Sequence, residues 1–367
     1  MFDSIETPSV IIEMGKVKRN ISSMAKDIRG KGCSLRPHIK THKIPELALM
    51  QLGYGACGIT CAKLSEAKVM AESGIKDIFI AYPVIGKDKI ARALELNNEV
   101  RLILGVDSER GALALSEAAL ATGTVFEVRL EIDTGLRRTG IAPHKAAEMA
   151  RLISGMQGIS FGGIYTFRGS VFDGKPTTDT IAAGKQEGAI LTGVKRDIEK
   201  LGIEVRDVSA GSTPTARSVA EVDGITEVRP GTYIFNDMMQ TNIGAAVIED
   251  CAVTLLVTVI STPSPDLAII DGGSKTFAAD AKMGTTPFYL EGYGRILGYE
   301  GLILERLTEE HGMIVSGSGE TGLEIGKRLR VIPNHVCTTI NLHDHVYLLE
   351  EDGNIRKVKV AARGKLY

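Results

Sequence analysis

The chain has 367 residues with 43 Lys and Arg against 45 Asp and Glu, and a net charge of −2 offers no basic field for nucleic acid or an anionic membrane. Hydrophobic residues make up 44% and no apolar run suits a signal peptide or a membrane span, so a cytoplasmic protein with a sizeable core and a small-molecule partner is expected. Five cysteines, Cys33, Cys57, Cys61, Cys251 and Cys337, form an odd set without a CxxC, which points to a reducing compartment rather than a disulfide framework.

In chain order, the opening strand at residues 9–13 either begins the first domain or pairs with the last. From about residue 30 to residue 235, apolar β-rich runs at 34–39, 56–60, 77–81, 100–106, 125–132, 159–166, 204–209 and 226–229 alternate with amphipathic stretches at 45–52, 64–73, 87–96, 108–122, 144–154 and 178–201. Eight such units predict an α/β fold, a (β/α)8 TIM-type barrel. A doubly wound open sheet is the alternative, weakened because no GxGxxG follows a first strand. After about residue 240 the pattern turns to strands at 252–261, 267–270, 328–332, 345–349 and 355–360 with glycine-rich turns, a second, mainly β domain. The expected division is 10–240 for the barrel and 241–367 for the β domain, with 1–9 free to join the latter.

The run Leu35-Arg36-Pro37-His38-Ile39-Lys40-Thr41-His42-Lys43 sets a lysine between two histidines where the first strand meets its loop. In an extended strand His38, Lys40 and His42 share one face and Ile39 takes the other. A desolvated lysine crowded by potential cations keeps a free amine for condensation with a carbonyl compound. Its position at a strand's carboxyl end is where barrels build their sites. Cys57 and Cys61 have helical metal-pair spacing, but Gly58-Ile59-Thr60 between them reads as a strand end, which makes both buried small hydrophobes.

Three further segments carry chemistry. Glu131 to Gly140 ends the fifth strand in a turn that brings Arg137 and Arg138 to the barrel mouth, where a guanidinium can meet a phenolate or carboxylate. Ser209-Ala210-Gly211-Ser212-Thr213-Pro214-Thr215 follows the seventh strand, the place where barrels commonly hold phosphate, and Gly231-Thr232-Tyr233 after the eighth would complete the cradle. An ordinary helix cap has the same composition. Finally, His335 and Cys337, two positions apart, aim imidazole and thiolate the same way if the segment is extended, an open metal pair of the kind zinc accepts.

These segments, with Arg229-Pro230-Gly231-Thr232-Tyr233, Asp271-Gly272-Gly273, Glu310-His311-Gly312 and Pro333-Asn334-His335-Val336-Cys337, resemble the D-serine dehydratase and D-threonine aldolase family over nearly the whole chain. The resemblance implies an alanine-racemase-type fold, a lyase acting on a D-3-hydroxy amino acid, pyridoxal 5'-phosphate, a divalent metal (zinc), and a homodimer. It implies that Lys40 binds the cofactor and is catalytic, that Gly211, Ser212, Thr213 and Tyr233 hold the phosphate, that Arg138 approaches the phenolic oxygen, and that His335 and Cys337 bind metal. His38, Tyr165 and Gly231 are expected to touch the cofactor as well. Members differ in the bond they break. In Gly163-Ile164-Tyr165-Thr166-Phe167-Arg168-Gly169-Ser170 this chain has Arg168 where the aldolases look to carry a histidine base, and an arginine is no base near neutral pH. HxC likewise favours a dehydratase over an aldolase, with a racemase on the same scaffold as a further alternative. Arg168 itself suits a second substrate carboxylate, as in 3-hydroxyaspartate.

Overall fold

Two compact units organise the computed structural model, which describes residues 2–317 and 319–367. One comprises residues 23–40, 44–231 and 364–367; the other comprises 1–22, 41–43 and 232–363. The division is thus finer than a single cut near residue 240, and the helix α1 (Met14–Gly30) passes from one unit into the other after Ser22.

In the first unit, strands β2 (Ser34–Leu35), β3 (Ile59–Cys61), β4 (Asp77–Pro83), β5 (Arg101–Val106), β6 (Phe126–Glu131) and β7 (Ile159–Tyr165) run parallel. A short hairpin, β8 (Val171–Phe172) and β9 (Lys175–Pro176), interrupts the series before β10 (Asp207–Ala210) and β11 (Glu227–Val228) complete it. The order β2-β11-β10-β7-β6-β5-β4-β3 is sequential around a ring, and a parallel bridge from His38 to Thr60 brings the two ends together. This is the expected barrel and not a doubly wound sheet. Between strands lie α2 (Pro45–Gly53), α3 (Leu64–Glu72), α4 (Lys87–Asn97), α5 (Glu109–Thr122), α6 (Ala146–Ser154), α7 (Thr180–Glu199) and the four-residue α8 (Ala216–Val219). Their starts follow capping chemistry: Ser108 accepts from Gly111 N at 3.3 Å at the head of α5, and Asp179 accepts from Ala182 N at 2.9 Å at the head of α7.

The barrel interior holds Phe79, Ile103 and Tyr165, with Phe79 and Tyr165 edge to face at 5.0 Å. Gly105 makes room for Tyr165, since a Cβ there would lie 2.2 Å from its hydroxyl. The strand starts carry a buried ion network in which Glu227 accepts from Arg36 Nε at 2.7 Å, Arg129 Nη1 at 2.6 Å and Ser209 Oγ at 2.6 Å.

In the second unit, α9 (Met238–Asn242) leads to β12 (Val253–Ser264), β13 (Leu267–Ile270), β14 (Gly294–Ile296), β15 (Leu302–Leu307), β16 (Gly312–Ser316), β17 (Arg328–Pro333), α10 (Val336–Leu342), β18 (His345–Leu349) and β19 (Ile355–Lys359). β1 (Ser9–Glu13) lies in this sheet, antiparallel to β12 and parallel to β18, which settles where the opening strand belongs. Ile11 of β1 packs with Ile5 and Leu256 in its core.

Candidate active site

The strand expected at 34–39 ends at Leu35, and Ile39–Thr41 forms a single 3-10 turn. Its backbone is used elsewhere: His38 N donates to Pro230 O at 3.0 Å, and Thr60 N donates to Pro37 O at 2.8 Å, so barrel closure is complete before Lys40 and the chain is released into a turn. Residues 38–42 are therefore not an extended strand with alternating faces. His42 is fully buried against the ring of Phe235, edge to face at 6.3 Å, and does not share a strand face with Lys40. His38 Nδ1 instead accepts from the Lys40 backbone N–H at 3.4 Å, a role for a neutral imidazole that steadies the turn. Lys43 has left-handed φ of 56° and is buried.

Lys40 and Arg138 meet at a residue that sequence reasoning passed over. Lys40 Nζ lies 5.3 Å from the ring centroid of Phe167, and Arg138 Cζ lies 5.0 Å from the same ring. The turn that carries Arg138 is fixed by Asp133 Oδ1, which accepts from Gly135 N and Arg137 N at 2.9 Å each. Both cations thus lie within cation–π reach of one aromatic ring.

Tyr165 turns into the barrel, where its hydroxyl donates to Glu131 Oε2 at 3.0 Å. Burial, then the neighbouring Glu131 carboxylate, push that hydroxyl well above the ordinary tyrosine range. Arg229 is a second residue the sequence left unassigned. Buried just past the end of β11, it donates to Ser209 Oγ in β10 and to the Thr166 carbonyl just after β7, and lies 5.3 Å from the Tyr165 ring.

In the loop after β10, Gly211 takes φ of 82°, where a Cβ would press to 3.2 Å from Ala216 Cα. Ser212, Thr213 and Thr215 are buried, with Thr215 Oγ1 accepting from Ser212 N at 3.0 Å. The Ser212 and Thr213 hydroxyls are of the kind a phosphate monoester takes. α7 reaches this loop closely because Gly184 and Gly188 sit on its buried face: a Cβ at Gly184 would lie 2.1 Å from Ser218 Oγ. Between those glycines the fully buried Glu187 accepts from Arg168 N at 3.1 Å, from Gly211 N and from Thr215 Oγ1 at 3.4 Å. Arg168 is itself buried, donates Nη2 to Gln186, and leaves Nε and Nη1 without a hydrogen-bond partner among the described residues.

In the second unit, His335 is the N-cap of α10 and Cys337 lies in that helix's first turn, so the segment is not extended as the i, i+2 argument assumed. Pro333 ends β17 and Asp237 draws the chain into the helix by accepting from Val336 N at 2.9 Å. The two side chains are still close enough for each to shift the ionisation of the other. Burial works against a thiolate at Cys337, but the neighbouring His335 outweighs it and lowers the thiol's pKa. Asp280 Oδ2 lies 2.7 Å from His335 Nδ1, leaving Nε2 as the imidazole's other donor atom. Thr41 Oγ1 at 3.2 Å and Thr232 Oγ1 at 3.5 Å flank the sulfur. No set of three His, Cys, Asp or Glu side chains able to hold a metal occurs among the described residues, and the Asp280 carboxylate stands behind His335. Tyr233, buried in the 3-10 turn Thr232–Ile234, belongs to this unit, whereas Gly231 belongs to the barrel unit. Of the other cysteines, Cys61 is buried as expected but Cys57 is exposed at the residue level, with its sulfur 3.8 Å from Glu227 Oε2.

Residues 12–238 match the family model of the alanine racemase N-terminal domain, and residues 252–349 match that of a putative serine dehydratase domain. The chain is 31% identical to D-threo-3-hydroxyaspartate dehydratase of Delftia sp. (strain HT23), covering 96% of both chains, and 29% identical to D-threonine aldolase of Arthrobacter sp., covering 98% of this chain and 93% of that one. The solved structure of the Delftia dehydratase has a TM-score of 0.89 with 97% of each chain covered, and a cysteine-to-alanine mutant of that enzyme is known in a metal-free form.

Proposed function

The chain belongs to the family of alanine-racemase-fold lyases that includes D-threo-3-hydroxyaspartate dehydratase, D-serine dehydratase and D-threonine aldolase, and from that membership we propose that it dehydrates a D-3-hydroxy amino acid using pyridoxal phosphate and a divalent metal. The observation that carries the reading is the convergence of Lys40 and Arg138 on the Phe167 ring at the carboxyl ends of the barrel strands.

The residues fit the cofactor's chemistry. Lys40 supplies the amine, Arg138 a permanent charge for the phenolic oxygen, and the Ser212 and Thr213 hydroxyls donors for the phosphate, with Gly211 shaping that loop and Gly231 and Tyr233 expected to add to them. Pyridoxal phosphate, when bound, draws electrons from the substrate's α-carbon. Lys40 Nζ takes the α-proton, and His38 holds the turn that aims it. His335 and Cys337 suit zinc, a Lewis acid for a departing hydroxyl. Loss of the α-proton and β-hydroxyl as water leaves an enamine, which hydrolyses to a keto acid and ammonia.

Dehydration is favoured over aldol cleavage because the segment after β7 presents Phe167 and Arg168, neither able to take a proton from a substrate hydroxyl. The metal-free cysteine mutant of the Delftia dehydratase supports a thiol in the metal pair. Nε and Nη1 of Arg168, buried without a hydrogen-bond partner among the described residues, support a diacid substrate of the 3-hydroxyaspartate type, since such N–H groups suit a carboxylate. A homodimer in the cytoplasm belongs to the same reading.

A panel of D- and L-3-hydroxy amino acids, including D-serine, D-threonine and both D-3-hydroxyaspartates, tests it. Keto acid and ammonia should appear in equal amounts from D substrates, with the preference for the diacid lost in Arg168→Ala. Aldehyde and glycine would establish the aldolase instead, and an inverted amino acid the racemase.

A further inference from the structure

Glu187 lies behind the loop after β10, fully buried, and has no part in the chemistry above. It is joined to Ser212 through one hydroxyl. Thr215 Oγ1 has three polar neighbours: Ser212 N at 3.0 Å, Ser212 Oγ at 3.0 Å and Glu187 Oε2 at 3.4 Å. A hydroxyl has one proton and two lone pairs, and one lone pair is taken by the Ser212 N–H. Two arrangements satisfy the rest when the proton sits on Oε2, the carboxyl oxygen that faces a hydroxyl, since Oε1 accepts from Arg168 N. With Glu187 ionised, Thr215 donates to the carboxylate and must accept from Ser212 Oγ, so the serine proton points inward and its lone pairs face outward. With Glu187 protonated, Oε2 donates to Thr215, Thr215 donates to Ser212, and the serine proton is released outward.

We propose that Glu187 is a positioning residue for the cofactor phosphate: a proton on its carboxyl reverses the Glu187–Thr215–Ser212 relay, presents the Ser212 hydroxyl as a donor, and so couples binding of a phosphate monoester to proton uptake. The inference rests on the reading of Ser212 as a phosphate anchor. The charged groups facing Glu187 are Arg229 at the end of β11 and Arg168 after β7, the latter with Asp173 beside it. From α8 and the loop after β10 it meets the Thr215 hydroxyl and the Gly211 N–H. Burial raises its pKa to about 7, against the pull of Arg229, so the proton is exchangeable near neutrality. A phosphate dianion arriving at Ser212 favours the neutral acid further.

The test is calorimetric titration of the cofactor-free full chain with pyridoxine phosphate, which has the phosphate but no aldehyde for Lys40. Buffers of different ionisation enthalpy count protons between roughly pH 6.5 and 8.5, where the ligand is largely dianionic. Wild type should take up about one proton at the alkaline end, with affinity falling up to about tenfold per pH unit above neutrality. Glu187→Gln, whose amide donates to Thr215 as the protonated acid does, should bind at the alkaline end as wild type does at the acid end, without uptake. Thr215→Val breaks the relay and should abolish the uptake while weakening binding at every pH. Equal proton counts and pH slopes in wild type and Glu187→Gln overturn the relay. If the relay alone fails, borohydride still traps pyridoxal phosphate on Lys40; if neither phosphate ester binds, the cofactor reading falls and takes the relay with it.

Discussion

Metal affinity should depend on a residue that need not touch the metal. Asp280 Oδ2 lies 2.7 Å from His335 Nδ1, and its Oδ1 accepts from Thr338 Oγ1 at 3.0 Å, so the carboxylate is anchored at both oxygens. It fixes the ring and the tautomer that leaves Nε2 free to ligate, and it makes the imidazole a stronger base. Loss of such a partner typically weakens metal binding about 10- to 100-fold. Asp280→Asn retains an oxygen for Nδ1–H and loses only the charge, so it belongs at about tenfold, or roughly 1.4 kcal/mol. Asp280→Ala frees the ring as well and belongs near 100-fold, or about 2.8 kcal/mol. Zinc dissociation constants from competition with a chromogenic chelator give both numbers, with circular dichroism as the control for folding. A folded Asp280→Ala variant that binds zinc as wild type does would show that the carboxylate does not orient His335 for the metal.

Lys40→Ala should abolish the borohydride-sensitive visible absorbance of the cofactor-loaded chain; if the band survives, Lys43 becomes the candidate, although its burial and left-handed backbone argue against it. Glu227→Gln should destabilise the barrel by about 3 kcal/mol, the lower end for a broken buried pair, because Arg36 keeps Asp77 and Arg129 keeps Asp207 at 3.0 Å. Burial opposes the Glu227 charge, but Arg129 and Arg36 outweigh it and hold the carboxyl well below the ordinary range. Its contribution is therefore present above the unfolded pKa of about 4.3 and lost as pH falls toward the folded value, so the gap from wild type should narrow below about pH 4. Urea unfolding at neutral and acid pH measures this, and a gap that stays constant or widens on acidification would contradict it.

What could be read from the sequence follows from periodicity. Strands such as Ile78-Phe79-Ile80 and Leu102-Ile103-Leu104 are apolar runs buried on both sides, and helices between them keep small and aliphatic residues on one face, so the eight-fold repeat is visible in composition. Lys40, Arg138, the Ser212 loop and the His335–Cys337 pair were found because each combines unusual chemistry with a position at the end of a strand. Their local geometry was not legible, since it depends on long-range partners. The 3-10 turn at Lys40 arises because residues 36–38 pair with residues near 58–60 and 228–230, and no local signal reports that. Asp280 meets His335 from 55 positions away, and no spacing motif connects them.

Phe167 and Glu187 were missed for a different reason: each looks ordinary in its element. Phe167 reads as a strand-end aromatic until Lys40 and Arg138 are found on its ring. Glu187 reads as one more helical carboxylate, yet the glycines at 184 and 188 share its face, and an acid flanked by residues without side chains cannot be on a solvated stripe. Close approach of α7 to the loop after β10 needs those glycines, and the same closeness removes water from Glu187 and leaves its charge to be balanced by Arg229, Arg168 and whatever proton the relay retains. The packing that allows the phosphate loop to form is thus also what makes the acid behind it sensitive to pH, so a bulkier residue at 184 should disturb the loop and the proton linkage together.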